Sequence, residues 1–72
     1  MSENNLHEIK RLSDEIERLK DEINFLDWLA DNALADDRVG DYLSFDQESL
    51  ELMYVLGKTE REYMALIHED QR

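Results

Sequence analysis

Apolar residues in the N-terminal half of the chain recur at steps that alternate between three and four residues. The mean step of 3.5 residues is that of a heptad repeat, which keeps one narrow seam of a helix facing a partner helix. The residues of this seam are Ile9, Leu12, Ile16, Leu19, Ile23, Leu26, Ala30 and Ala33. The pattern predicts a long coiled-coil helix over residues 6–34.

The identity of the partner helix follows from the residues beside the seam. Isoleucine at the early a positions and leucine at the early d positions favour a coiled coil of two helices. In a parallel pair Glu15 lies next to Lys20 of the other copy, whereas an antiparallel pair brings like charges together. We therefore predict a homodimer, with parallel pairing favoured, whose interface consists of Ile9, Leu12, Ile16, Leu19, Ile23 and Leu26. The alternative is a monomer in which the later helices fold back onto the same seam.

The composition supports an all-α chain that needs a partner. Its 72 residues include no proline, two glycines and no cysteine. Because the chain has no proline, few residues in it would interrupt a helix. Because it has no cysteine, neither a disulfide nor a thiolate metal site can form. A chain this short also has difficulty burying a sufficient core alone. We expect one domain over residues 1–72.

Beyond the long helix, the sequence predicts a loop and two short helices. Phe25 and Trp28 lie outside the seam, so we expect the later segments to cover them. An acidic loop over 35–43 contains Gly40, which can adopt a positive φ. Capping boxes beginning at Ser44 and Thr59 predict helices over 44–57 and 59–70. The expected fold is therefore all-α and dimeric, with two short helices packed on the C-terminal half of the long one.

Negative charge is the second strong feature of the sequence. Nineteen acidic and eight basic residues give a formal net charge of −11. Such a chain repels nucleic acid and anionic membranes and attracts basic protein surfaces, although the same charge also promotes solubility. A candidate partner-binding acidic patch comprises Asp27, Asp31, Asp36, Asp37, Asp41, Asp46 and Glu48.

The sequence offers no pattern that indicates catalysis, a cofactor or a metal. His7 and His68 belong to no ligand or triad spacing, and the acidic loop does not match a calcium-binding loop. Residues 56–62 have the outline of a helix-turn-helix, but Glu60 and Glu62 would repel DNA phosphates from its second helix. We predict a non-enzymatic protein located in the cytoplasm, or in the host cytoplasm if it is phage-encoded.

The leading hypothesis is an acidic dimeric inhibitor that blocks a basic, nucleic-acid-binding surface of another protein. In size and charge the chain looks like the small acidic inhibitors of phages and mobile elements, which include anti-CRISPR and DNA-mimic proteins. This likeness is one of composition and involves no shared motif. The alternative is a coiled-coil oligomerisation or adaptor protein that docks a partner through exposed aromatic side chains. A helix-turn-helix regulator is the third possibility.

Overall fold

Two long helices make up the part of the protein that the structure describes. A computed structural model describes residues 3–70, and the side chains of residues 5–69 within them. Helix α1 spans Glu3–Ala35 and helix α2 spans Val39–Asp70, with no strand in this range. The helices pack side by side as an antiparallel hairpin, whose Cα atoms extend over 53 × 14 × 13 Å. The all-α prediction is confirmed, and the predicted long helix is observed with slightly wider bounds.

The second half of the chain differs from the prediction of two short helices. Helix α2 is continuous through Gly57 and Thr59, so neither the predicted end at residue 57 nor the new start at residue 59 exists. The Thr59 hydroxyl donates to the Val55 carbonyl oxygen within the helix (2.9 Å) instead of capping a new one. Ser44 also lies inside α2. The helix-turn-helix outline is therefore wrong, because the residues assigned to its turn are helical.

The connection between the helices is much shorter than the predicted loop over 35–43. The Arg38 amide donates to the Ala33 carbonyl (2.8 Å), and the Asp37 amide donates to the Leu34 carbonyl (3.1 Å). These two bonds, with Asp37 at φ 60°, form a Schellman motif that ends α1. The positive φ belongs to Asp37 and not to Gly40, which lies in the first turn of α2. This tight turn reverses the chain and directs α2 back along α1.

The heptad seam of α1 faces α2 of the same chain. Leu12, Leu19, Ile23, Ala30 and Ala33 are buried, and the other seam residues Ile9, Ile16 and Leu26 are partly covered. The fold-back arrangement that the sequence left open is thus the arrangement of this chain. Pairing of two copies through Ile9–Leu26, parallel or otherwise, stays a prediction, and it would require α2 to leave the seam.

Helix α2 contributes a matching seam that recurs at the same spacing. Its covered residues are Tyr42, Phe45, Ser49, Leu52, Leu56, Thr59, Tyr63 and Leu66. Two of them are polar and buried, and both have partners: the Thr59 hydroxyl bonds within α2, and the Ser49 hydroxyl donates to the Asp27 carboxylate of α1 (3.0 Å). Satisfied in this way, they can lie at the interface without the cost of an unpaired polar group. Between Leu52 and Leu56 the side chains of Met53, Tyr54 and Val55 are exposed, so this apolar run is buried on one side only.

We expect Asp37→Gly to stabilise the hairpin. An L-residue with a side chain loses about 1 kcal/mol in the left-handed region, and glycine does not. Urea unfolding followed by circular dichroism should show a higher midpoint. Asp36→Gly is the matched control, since the neighbouring position has no positive φ, and it should lower the midpoint or leave it unchanged. A loss of stability in Asp37→Gly would contradict the turn described here.

We expect Leu19→Ala to lower the free energy of unfolding by about 2–5 kcal/mol, because the side chain is 2% exposed and the cavity cannot fully close. Leu34→Ala is the control on the same helix, at a side chain that is exposed, and should cost well under about 1 kcal/mol. Equal losses in the two variants, measured by urea unfolding, would show that the seam is not the core.

Candidate functional site

One flank of the hairpin carries a groove between the middle of α1 and the middle of α2. Because the helices are antiparallel, residues 18–26 of α1 lie beside residues 48–52 of α2. The lining residues of this groove are Arg18, Asp21, Glu22, Phe25, Leu26, Glu48, Glu51 and Leu52. We call these eight residues the acidic groove. Its floor is apolar and its edges are charged.

Phe25 and Trp28 form an exposed aromatic pair at this flank. Their rings stack with centroids 6.2 Å apart and an angle of 20° between the planes. Phe25 is 58% exposed and Trp28 is 60% exposed. The prediction that later segments cover them is therefore wrong for the single chain, since α2 packs on the a/d seam and leaves the outer side of α1 open. Large exposed aromatic side chains next to a groove are typical of sites that bind other proteins.

Carboxylates dominate the charge of the acidic groove. Asp21, Glu22, Glu48 and Glu51 contribute four formal negative charges, and Arg18 contributes one positive charge. The guanidinium of Arg18 pairs with Glu22 (2.6 Å) and with Glu15 on the same helix. The hydrogen bond that Arg18 donates to Glu15 lowers the pKa of Glu15 below its usual value, which keeps that carboxylate ionised. The cation is thus engaged within α1, and the groove presents net negative charge to a ligand.

The predicted acidic patch is not one continuous surface. Counted as heptads, Asp27, Asp31 and Asp46 lie on the flank opposite the groove, and Asp27 accepts the hydrogen bond from Ser49. The turn holds Asp36 and Asp37, and Arg38 pairs with Asp36 (3.7 Å) and with Asp41 (3.3 Å). Of the seven predicted residues, Glu48 alone lines the acidic groove. The hairpin therefore divides the patch between two flanks and a tip.

Sequence reasoning missed the contribution of α1 to the groove. Asp21 and Glu22 lie on the long helix, about 25 residues before Glu48, and no local pattern connects them. A signal was present in Phe25, which lies outside the heptad seam and yet sits one turn after these acidic residues. Placing Asp21 beside Glu48 required the antiparallel fold-back and the position of the turn.

The described residues show no second cluster of side chains that could form a metal site or a catalytic site. His7, near the start of α1, and His68, near the end of α2, are both exposed at the end of the hairpin away from the turn. Among the residues that the structure describes, no group of three histidine, aspartate or glutamate side chains could hold a metal ion. Neither described helix is long and apolar enough to cross a membrane. The acidic groove is therefore the strongest candidate site.

Comparison with known proteins adds no family to this picture. No family model, no curated protein and no solved structure matches the chain.

The exposure of Trp28 has a direct spectroscopic consequence. It is the single tryptophan of the chain, so fluorescence quenching reports on this site alone. We expect the neutral quencher acrylamide to reach it almost as well as a free tryptophan analogue. Caesium should quench more strongly than iodide, because the surrounding carboxylates attract the cation, and added salt should reduce that difference. Strong protection from acrylamide would mean that Trp28 is covered in solution.

Proposed function

We propose that the protein is a non-enzymatic interaction module that docks onto a basic surface of another protein and blocks it. The observation that carries this proposal is the acidic groove, where an apolar floor and an exposed aromatic pair adjoin four carboxylates. The complementary ligand is a protein segment that combines an apolar anchor with flanking lysine or arginine side chains. Apolar contact would supply most of the affinity, and the charges would supply attraction and orientation.

The inhibitory effect follows from the kind of surface that such a partner would have. Basic surfaces with apolar or aromatic side chains occur on proteins that bind nucleic acids, where they contact phosphates and bases. A chain with net charge −11 that occupies such a surface would prevent nucleic acid from reaching it. Anti-CRISPR-like and DNA-mimic inhibitors would be one form of this activity.

A second candidate function is an adaptor that docks through Phe25 and Trp28 by apolar contact alone. The exposure of the stacked pair favours it, and it does not depend on the carboxylates. Salt distinguishes the two candidates. Binding that uses the carboxylates weakens as salt increases, whereas purely apolar docking changes little.

A synthetic helical peptide of alternating lysine and leucine clusters is a suitable probe of this groove. We expect it to bind and to change Trp28 fluorescence, and we expect Trp28→Ala or Phe25→Ala to weaken binding roughly tenfold or more. Because Trp28 is then absent in one variant, calorimetry should measure the affinities of all variants. A peptide with glutamate in place of lysine should not bind.

The matched charge control compares two double variants that each remove two negative charges. Glu48→Gln with Glu51→Gln, in the groove, should weaken peptide binding more than Asp36→Asn with Asp37→Asn, at the turn. Equal effects would mean that overall charge, and not the groove, attracts the peptide. Binding unaffected by either pair and by salt would favour the apolar adaptor.

A further inference from the structure

A second apolar surface runs along α2 on the flank opposite the acidic groove. Its positions recur at steps of three and four residues, and each follows a residue of the buried seam, so they lie along one side of the helix. Six of the eight are exposed, and Gly57 and Ile67 are partly covered. The members are Leu43, Asp46, Leu50, Met53, Gly57, Glu60, Met64 and Ile67, and we call them the α2 stripe. Leu43 and Leu50 are each 58% exposed, and Met53 and Met64 are 43% and 49% exposed. Two of the eight positions are charged.

We propose that the α2 stripe is covered by the α2 stripe of a second copy of this chain, which gives a four-helix dimer. This interface differs from pairing through the α1 seam, because each hairpin stays intact and its seam stays filled by its own α2. It lies away from the acidic groove, so it is independent of the proposed function.

The exposed area of the hairpin matches what such a dimer needs. A compact chain of 8.6 kDa exposes about 4,700 Å², whereas this hairpin exposes 5484 Å². The excess is about 800 Å², which is the area that each partner buries in a protein–protein interface of standard size. A second copy would thus bring the chain to the surface expected for its mass.

Gly57 is an independent indication that another helix packs closely against the α2 stripe. Glycine disfavours helix, yet Gly57 lies in the interior of α2 without a positive φ. Apart from its two neighbours and the nearby backbone of its own helix, a Cβ atom placed on it would meet no atom within 4 Å, so packing inside the hairpin does not require a glycine there. In an antiparallel pair of stripes, the side chain of Met53 can fill the space over Gly57 of the second copy.

The charges that α2 itself carries on its two flanks favour a second copy on the α2 stripe and not on the groove. Self-pairing through the acidic groove would bring Glu48 and Glu51 against the same carboxylates of the other copy. On the stripe, an antiparallel arrangement centred between Met53 and Gly57 keeps Asp46 and Glu60 away from their own counterparts. No carboxylate then directly opposes another, because Asp46 faces Met64 and Glu60 faces Leu50. Met53 faces Gly57, and Leu43 faces Ile67.

Sedimentation equilibrium of three variants against the wild type tests this interface. We expect the wild type to dimerise, and we expect Leu50→Glu and Gly57→Gln each to weaken the dimer roughly tenfold or more. Gln47→Glu is the control for Leu50→Glu, because it adds the same charge on the outer side of α2 and should not affect the interface beyond general repulsion. All variants should remain helical by circular dichroism, since none of these positions belongs to the buried seam. Gly57→Gln should be at least as resistant to urea as the wild-type monomer.

Several results would overturn the proposal. A wild type that stays monomeric at every concentration, or a dimer unaffected by Leu50→Glu and Gly57→Gln, would exclude the stripe. A dimer lost in Phe25→Ala would place the interface on the groove flank. Salt separates this proposal from the proposed function, because the dimer of two acidic copies should tighten as salt increases, whereas peptide binding at the groove should weaken.

Discussion

The contact between the α1 seam and α2 is the interaction on which the rest of the structure depends. A two-helix hairpin has one interface, so no other layer can compensate for losing it. Leu19 and its buried neighbours supply the apolar area, and Ala30 and Ala33 let the helices approach closely near the turn. The bond from Ser49 to Asp27 adds one polar link between the helices. This single contact positions both the acidic groove and the α2 stripe.

Because only one side of each helix is used in the contact, the hairpin exposes its remaining sides. The exposed sides differ in character. The ion pairs Arg11–Glu8 and Arg18–Glu15 lie on the groove side of α1, and exposed pairs of this kind contribute little to stability. On α2, the groove flank presents Glu48 and Glu51, whereas the opposite flank presents mainly apolar side chains. This difference supports the two proposals, a basic ligand on the groove flank and a second copy on the other.

The two helices and the turn between them differ in how far their sequences predict them. The heptad of α1 was visible because its members are apolar, and the long helix follows from it. The matching seam of α2 was hidden, because buried Ser49 and Thr59 interrupt its apolar pattern and Thr59 was interpreted as a helix cap. The turn was placed near the correct position, but its positive φ was assigned to Gly40 on residue type, whereas the hydrogen bonds to Ala33 and Leu34 place it at Asp37.

The sequence alone determined the helical class, the length of α1, the side of α1 that is buried and the strong negative charge. These properties depend on local composition and on periodicity within one helix, which a linear pattern records. The tertiary structure decided that α2 of the same chain covers the seam and that Phe25 and Trp28 stay exposed. It also decided that Asp21 and Glu22 line the same groove as Glu48 and Glu51. Those outcomes depend on where the chain reverses. The position of the turn sets the register between residues far apart in sequence, and no spacing within either helix encodes it.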